Sequence, residues 1–326
     1  MKAIDFAEFG EPEVLRLVDV PEPVVRASDL LVRVRAAGVN RADLLLRTGH
    51  YGRPDFGDSH LIGLEIAGEV VAKGPDVAGY EVGDRVMGIT GGGAYAELAR
   101  LDYRMAMPVP DGIEDVHAAA IPEVFVTAHE ALFHLGKLQP SEAVLVHAAA
   151  GGVGSAAVQL AHAAGAHVFA TTQAAKRDRV LALGADIVID YKSDDFVAAV
   201  ESETGGDGVD VVVDFIGAPY LDRNLRSLRH GGRLVQVGLL GGGAGATLDM
   251  ERLLYRHLQI LGTVMKTRPQ AVKQAMVARF REAWFARFAD GTLSPLIDRV
   301  YPLAEAAAAH RRMETNESIG KIVLRM

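Results

Sequence analysis

The residues of this chain with the clearest chemical reading are a run of small ones. Positions 142–172, EAVLVHAAAGGVGSAAVQLAHAAGAHVFATT, read as a short apolar strand that enters a glycine turn and leaves as an alanine-rich helix. In that context Gly151, Gly152, Val153 and Gly154 make a phosphate cradle. Gly151 lets the main chain approach a pyrophosphate, Gly154 permits close packing of helix on strand, and the helix N-terminus offers unpaired N–H groups and the positive end of its dipole. Ala149 stands where the first glycine of GxGxxG would be, so the motif is AxGGVG. Small residues also serve tight packing alone, but strand, turn and helix in this order favour nucleotide binding.

The next strand selects the nucleotide. It ends Phe169, Ala170, Thr171, Thr172, Gln173, with no carboxylate to take a ribose diol, and Lys176 and Arg177 follow. A 2′-phosphate would be repelled by a carboxylate here and held by an ammonium, a charged hydrogen bond contributing roughly 1.5 to 3 kcal/mol. The segment therefore predicts NADPH over NADH, with Gln173 and Lys176 in the site. The competing reading of Lys176 is a solvated lysine at a helix start.

Composition removes other chemistries. There is no cysteine, which excludes disulfide scaffolds, thiolate zinc sites, iron–sulfur clusters and cysteine nucleophiles. No two of the eleven histidines lie three or four apart, so a helical His pair for zinc is absent as well. The net charge of −8 gives no reason to expect nucleic acid or an anionic membrane surface as a partner. The N-terminus lacks a signal or lipidation pattern, and 143–170 carries too many polar residues for a span, so a cytoplasmic protein is expected.

A length of 326 residues suits about two domains, and 49% hydrophobic content supplies their cores. In LLVRVRAAGV, Val32, Val34 and Ala36 alternate with Arg33 and Arg35, the period of a half-buried strand, and the glycine-punctuated segments up to about residue 100 predict a mostly antiparallel, barrel-like domain. Near Ala118 the grammar changes to helix, then to recurring strand, glycine turn and helix. Six runs predict a parallel sheet: Ala143–His147, His167–Thr171, Ile187–Asp190, Val209–Asp214, Arg233–Val237 and Leu258–Leu261. A helix is expected over Pro269–Ala289, with Met276, Phe280, Trp284 and Phe288 as a core-facing stripe. The closing strand, helix and strand are assigned to the first domain, making it discontinuous.

Several segments together resemble the zinc-free quinone oxidoreductase branch of the medium-chain dehydrogenase/reductase superfamily, end to end: NRADLLLRTGHYGRP, GLEIAGEV, GDRVMGITGGGAYAEL, AAAIPEVFVTAHEAL, HAAAGGVG and SIGKIVL. The AAAIPE and ITGGGAYAE segments look like the tumour-suppressor-inducible quinone oxidoreductase subgroup. Zinc-dependent relatives carry GHE and cysteine ligands where this chain has Gly63, Leu64, Glu65, and a structural role for Glu65 is expected. The resemblance implies an α/β protein: a GroES-like, mostly antiparallel β catalytic domain (1–122 and 264–326) and a doubly wound Rossmann domain with a six-stranded parallel sheet (123–263).

It also implies site residues. Asn40 and Tyr51 would line the acceptor region, Tyr51 as hydrogen-bond or proton donor, as pocket wall or in contact with the cofactor alone, Asn40 as a positioning residue or a structural turn residue, and Thr127 would lie by the nicotinamide. Tyr191 would flank the adenosine phosphate, Ile216 and Gly217 the adenine ribose, and Leu239 and Leu240 the nicotinamide, all beyond the ends of parallel strands. Lys321 would reach a phosphate or form a strand salt bridge.

Without a Lewis acid for a developing alkoxide, the acceptor must stabilise its own charge. A quinone does so as a hydroquinone anion and a conjugated enone as an enolate. NADPH-dependent quinone reduction is therefore the expected activity, by hydride transfer between the domains at about 3 to 3.5 Å. The alternatives are an enone or enoyl-thioester reductase and a cofactor-binding protein with vestigial activity. Pairing of the sixth strand, around His257 to Gly262, with its symmetry mate predicts a homodimer.

Overall fold

A computed structural model describes residues 1–50 and 59–326. The chain forms two compact units, unit 1 from Met1–Val126 and Arg268–Met326 and unit 2 from Thr127–Thr267, against expected joints after residues 122 and 263.

Unit 1 opens with the antiparallel pair β1 (Lys2–Asp5) and β2 (Arg16–Asp19). Then come β3 (Asp29–Val39), α1 (Arg41–Arg47), β4 (Glu65–Lys73), β5 (Arg85–Ile89), β6 (Leu98–Asp102), β7 (Ala106–Pro108), α2 (Asp115–Ala118) and α3 (Pro122–His129), within which the chain passes into unit 2. Unit 2 alternates strand and helix: β8 (Ala143–Val146), α4 (Gly152–Ala163), β9 (His167–Thr172), α5 (Arg177–Ala182), β10 (Ile187–Asp190), α6 (Phe196–Glu203), β11 (Val209–Asp214), α7 (Leu221–Ser227), β12 (Leu228–Gln236), α8 (Met250–Tyr255) and β13 (Gln259–Gly262). The last segment, α9 (Gln270–Trp284), β14 (Ile297–Pro302), α10 (Ala306–Glu314) and β15 (Lys321–Arg325), returns to unit 1.

In unit 1 the main sheet runs β14-β15-β3-β4-β5-β7, with β6 also on β3. It is antiparallel except between β14 and β15. The alternation read from the sequence holds in β3: Val32, Val34 and Ala36 are buried, Arg33 and Arg35 exposed. From Ala36 to Val39 both faces are buried; here β3 is paired with β4 and β15 at its edges, and α2 packs against it.

In unit 2 all six strands are parallel, in the order β10-β9-β8-β11-β12-β13. Leu145, Phe169, Val212 and Leu234 from the sheet pack with Phe196, Val200 and Leu225 from the helices, each large side chain contributing roughly 1.5 to 3 kcal/mol by leaving water. Successive strands step one way from β8 and the other way from β11, so the crevice between these two lies at a topological switch point.

Beyond one-residue shifts at the ends of β8, β9, β12 and β13, the structure departs from the sequence reading in three places. β12 begins at Leu228 rather than Arg233, because Leu228 pairs with Val209 before a register shift brings Arg233 opposite Val211. The helix expected to reach Ala289 stops at Trp284 and tightens into a 3-10 turn over Phe285–Phe288. Of the expected stripe, Met276, Phe280 and Phe288 are buried and Trp284 is only half-buried. The helical stretch after Ala118 is broken at Pro122 and ends in a π-helical turn, Glu130–Leu135. Among the described residues no helix is long and apolar enough to cross a membrane.

Candidate active site

The glycine turn joins β8 to α4. Gly151 is the N-cap of α4 and no side chain caps that end, which leaves the first-turn N–H groups to an external acceptor. Gly154 is required by contact: a Cβ there would lie 2.3 Å from the Ala148 carbonyl oxygen and 2.8 Å from Ala149 Cα. This cradle, rich in glycine and with no side-chain cap at the helix start, suits a pyrophosphate.

Because the strands are parallel, the segments that follow them leave from one edge of the sheet. Gln173 and Tyr191, after β9 and β10, meet directly, the Gln173 amide donating to the Tyr191 hydroxyl at 2.9 Å. Lys176 is 9% exposed, so it is a buried residue of the turn before α5 rather than a solvated lysine. The loops after β11 and β12 are tied together: Leu240 N–H donates to Phe215 O at 2.9 Å and Gly241 N–H to Ile216 O at 2.8 Å. Asp214, fully buried at the end of β11, accepts from Ile216 N–H at 2.7 Å and Gly217 N–H at 3.0 Å. Leu239 and Leu240 are 59% and 51% exposed, an apolar surface next to these loops. Thr127 is half-buried on α3.

His147 is a site residue that the sequence motifs do not single out. It is buried directly after β8, its Nδ1 2.9 Å from Thr171 Oγ1 on β9 and its Nε2 2.7 Å from Asn224 Oδ1 on α7. Burial pushes its pKa down, against the pull of Asp214, so it is neutral. The available signal was a polar residue at the end of an apolar strand, directly before the glycines.

In unit 1, Lys321 and Asn40 come together around Glu65. The Lys321 ammonium donates to Glu65 Oε1 at 2.7 Å, Asn40 Oδ1 at 2.6 Å and Val39 O at 2.7 Å, which uses all three of its donors. The Asn40 amide donates to Glu65 Oε1 at 2.9 Å, and Glu65 Oε2 accepts from Glu123 N–H at the start of α3, 2.8 Å away. Gly38 makes room: a Cβ on it would fall 2.3 Å from Glu65 Oε1. Lys321 thus forms the strand salt bridge, with no donor left over for a phosphate, and Asn40 holds this pair with its side chain. Tyr51 lies outside the described residues.

Asp43 extends the cluster. Its Oδ2 accepts from Asn40 N–H at 2.8 Å and from the Tyr95 hydroxyl at 2.9 Å, and Tyr95 sits 3.4 Å from His310 Nε2. Desolvation raises Asp43 to about 7, and it lowers His310 to about 3 with help from Arg47. Glu123 is raised to about 8 by desolvation and then by the charge on Glu65. No sequence signal links residues so far apart along the chain.

The described residues contain no group of three or more His, Cys, Asp or Glu side chains that could hold a metal. The donor chemistry around Glu65 does not fit zinc either: Leu64 has no ligand atom and Lys321 puts a positive charge on the carboxylate. A groove of about 990 Å³ in unit 1, lined by Tyr80, Arg85, Tyr103, Arg281 and Phe285 among others, contains none of the expected site residues.

Residues 26–111 match the alcohol dehydrogenase GroES-like domain and residues 152–282 the zinc-binding dehydrogenase family. Polyketide synthase GfsB of Streptomyces halstedii is 40% identical over 296 residues, 90% of this chain; the chain spans 5% of that protein's length. Among solved structures, a mycobacterial protein complexed with NADPH is 34% identical with a TM-score of 0.89, each chain covered 100%. A quinone oxidoreductase of Pseudomonas syringae pv. tomato DC3000 is 31% identical with a TM-score of 0.89, covering 100% of this chain and 99% of that one. CurK enoyl reductase is 29% identical with a TM-score of 0.88, at the same coverage.

Proposed function

Because the chain belongs to the medium-chain dehydrogenase/reductase superfamily of NAD(P)-dependent oxidoreductases, we propose that it is a zinc-independent, NADPH-dependent reductase of quinones, of the tumour-suppressor-inducible type. The observation that carries the acceptor class is the Lys321–Glu65 ion pair: the carboxylate after Leu64 is committed to an ammonium, so the acceptor must carry its own charge.

In this reading the N–H groups at the start of α4 bind the pyrophosphate, and Gln173 and Lys176 take the 2′-phosphate. Tyr191, Ile216 and Gly217 border the adenosine, while Thr127, Leu239 and Leu240 border the nicotinamide. When bound, the reduced nicotinamide supplies hydride from C4. A quinone that takes it becomes a hydroquinone anion, and one proton from solvent completes the hydroquinone. The chain's contribution is mainly position and exclusion of water.

A second reading, reduction of enoyl thioesters by the same hydride delivery, is supported by the likeness to polyketide synthase GfsB and to CurK enoyl reductase. NADPH oxidation followed with ortho-quinones, para-quinones, enones and enoyl thioesters separates the two. Turnover is expected on quinones, with NADPH preferred over NADH and no loss on chelation. Silence on every acceptor, or activity abolished by chelation and restored by zinc, refutes the proposal.

The same proposal extends to assembly as a homodimer. β13 is an edge strand, Ile260 on it is 41% exposed, and Leu254 and Tyr255 just before it are 66% and 70% exposed. A second copy paired along β13 would cover both the open backbone groups and this apolar row. Sedimentation should give a dimer at micromolar concentration and Ile260→Lys a monomer.

A further inference from the structure

The glycine turn begins with a strained residue. Ala148 has φ of 47°, a left-handed conformation that a residue with a Cβ adopts only under constraint. Its carbonyl oxygen accepts from Gly151 N–H at 2.9 Å and is the atom on which a Cβ at position 154 would collide. The conformation of Ala148 therefore shapes the start of α4, where the pyrophosphate is expected.

The constraint comes from both neighbours. On one side Ala149 N–H donates to Thr171 O at 3.0 Å; on the other His147 N–H donates to Val213 O at 3.1 Å. The His147 side chain then locks the arrangement, with Nδ1 accepting from the Thr171 hydroxyl and Nε2–H donating to Asn224 Oδ1. Its ring is gripped edge-on by Phe196 and Tyr220, centroids 4.8 and 4.9 Å away. Thr171 is the penultimate residue of β9, two residues before Gln173, and Tyr220 follows the loop of Ile216 and Gly217. A single imidazole, itself leading into the glycine turn, thus ties that turn to the end of β9 and to the residues that follow the loop after β11, three of the segments assigned to the dinucleotide.

We propose that His147, with Thr171 and Asn224, is a positioning residue for the dinucleotide, holding the glycine turn in its binding shape before the cofactor arrives. The inference rests on the cofactor reading given above. It requires no contact between His147 and the cofactor; the effect is to remove the ordering cost of the turn from the binding step.

The test compares His147→Ala, His147→Gln and Thr171→Val with the parent chain by NADPH fluorescence titration, thermal melting, and kcat and KM at saturating cofactor. His147→Ala should raise the Kd for NADPH about tenfold, the size expected for losing a buried hydrogen bond from a preformed site. His147→Gln, which can replace one of the two bonds, should fall between it and the parent. At saturating NADPH, kcat should stay within about twofold and the acceptor KM should not move, because only uniform binding is lost. Thr171→Val is isosteric and carries the test if the alanine variant does not fold. A lowered melting temperature with Kd unchanged would overturn the inference, as would a fall in kcat alone. A parent chain that binds no NADPH would instead overturn the cofactor reading itself.

Discussion

In unit 1 the buried polar cluster is built around a charged pair: Lys321 and Glu65 are both 3% exposed or less. In unit 2 the corresponding network, His147, Thr171 and Asn224, is uncharged, and its one nearby carboxylate, Asp214, is satisfied by two main-chain N–H groups. The two solutions fail differently. A buried ion pair is sensitive to the loss of either partner and to pH, because an unpaired charge cannot be resolvated. A neutral network that shapes a turn is indifferent to pH in the physiological range but sensitive to the addition of a single methyl group.

The largest expected effect tests the charged side. Lys321→Met leaves Glu65 buried without its cation and should lower stability by about 3 to 5 kcal/mol in denaturant titration. The double variant Lys321→Met with Glu65→Leu should recover much of that. A single variant as stable as the parent would mean that the pair is not what holds this corner of unit 1.

On the neutral side, Gly154→Ala drives a methyl group into the Ala148 carbonyl. It should lower stability by about 1 to 3 kcal/mol and weaken NADPH binding, whereas the same change at Gly165, where a Cβ meets nothing within 4 Å but φ is 78°, should affect stability without cofactor affinity. Lys176→Glu should cost about tenfold in the NADPH specificity constant relative to NADH; an unchanged ratio would remove Lys176 from the 2′-phosphate site.

The smallest effect distinguishes the units by pH. Asp43 titrates at about 7 in the folded chain against 3.8 ordinarily, so the folded state binds its proton more tightly and stability falls as pH rises through that window. His310, lowered to about 3 from 6.5, acts in the opposite sense, but only below pH 6.5. Between pH 6.5 and 8 Asp43 and Glu123 therefore act alone, and stability should decline by an amount on the order of 1 kcal/mol from Asp43. Asp43→Asn should flatten part of this decline, and Thr171→Val should leave it intact. A slope that survives Asp43→Asn unchanged would remove Asp43 as its source.

The parts legible from sequence are those set by local pattern. The strand runs of unit 2 could be read because a strand buried on both faces must be continuously apolar, and the turn at Gly151–Gly154 because it sits between such a strand and a helix. The start of β12 could not be read, since Gly231 and Gly232 inside the strand look like a turn. The end of α9 was hidden because nothing local distinguishes the 3-10 turn from another turn of α-helix. Lys321 illustrates a different limit. Its strand was expected, and a salt bridge was one of the two readings, yet its partners are supplied by β3, the residue after it and β4, and only their meeting shows that the ammonium points inward. Asp43, Tyr95 and His310 carry no mark of their association, which arises when α10 docks.

The Lys321–Asn40 contact spans 281 positions of chain. On the ribosome, every residue of unit 2 emerges while Glu65 still lacks its counter-ion, so the first unit must wait, open and partly hydrated, for the second to be finished. Nascent chains halted just short of Lys321 should accordingly show a protease-resistant core confined to residues 127–267, and a protected N-terminal segment at that stage would contradict this order of assembly.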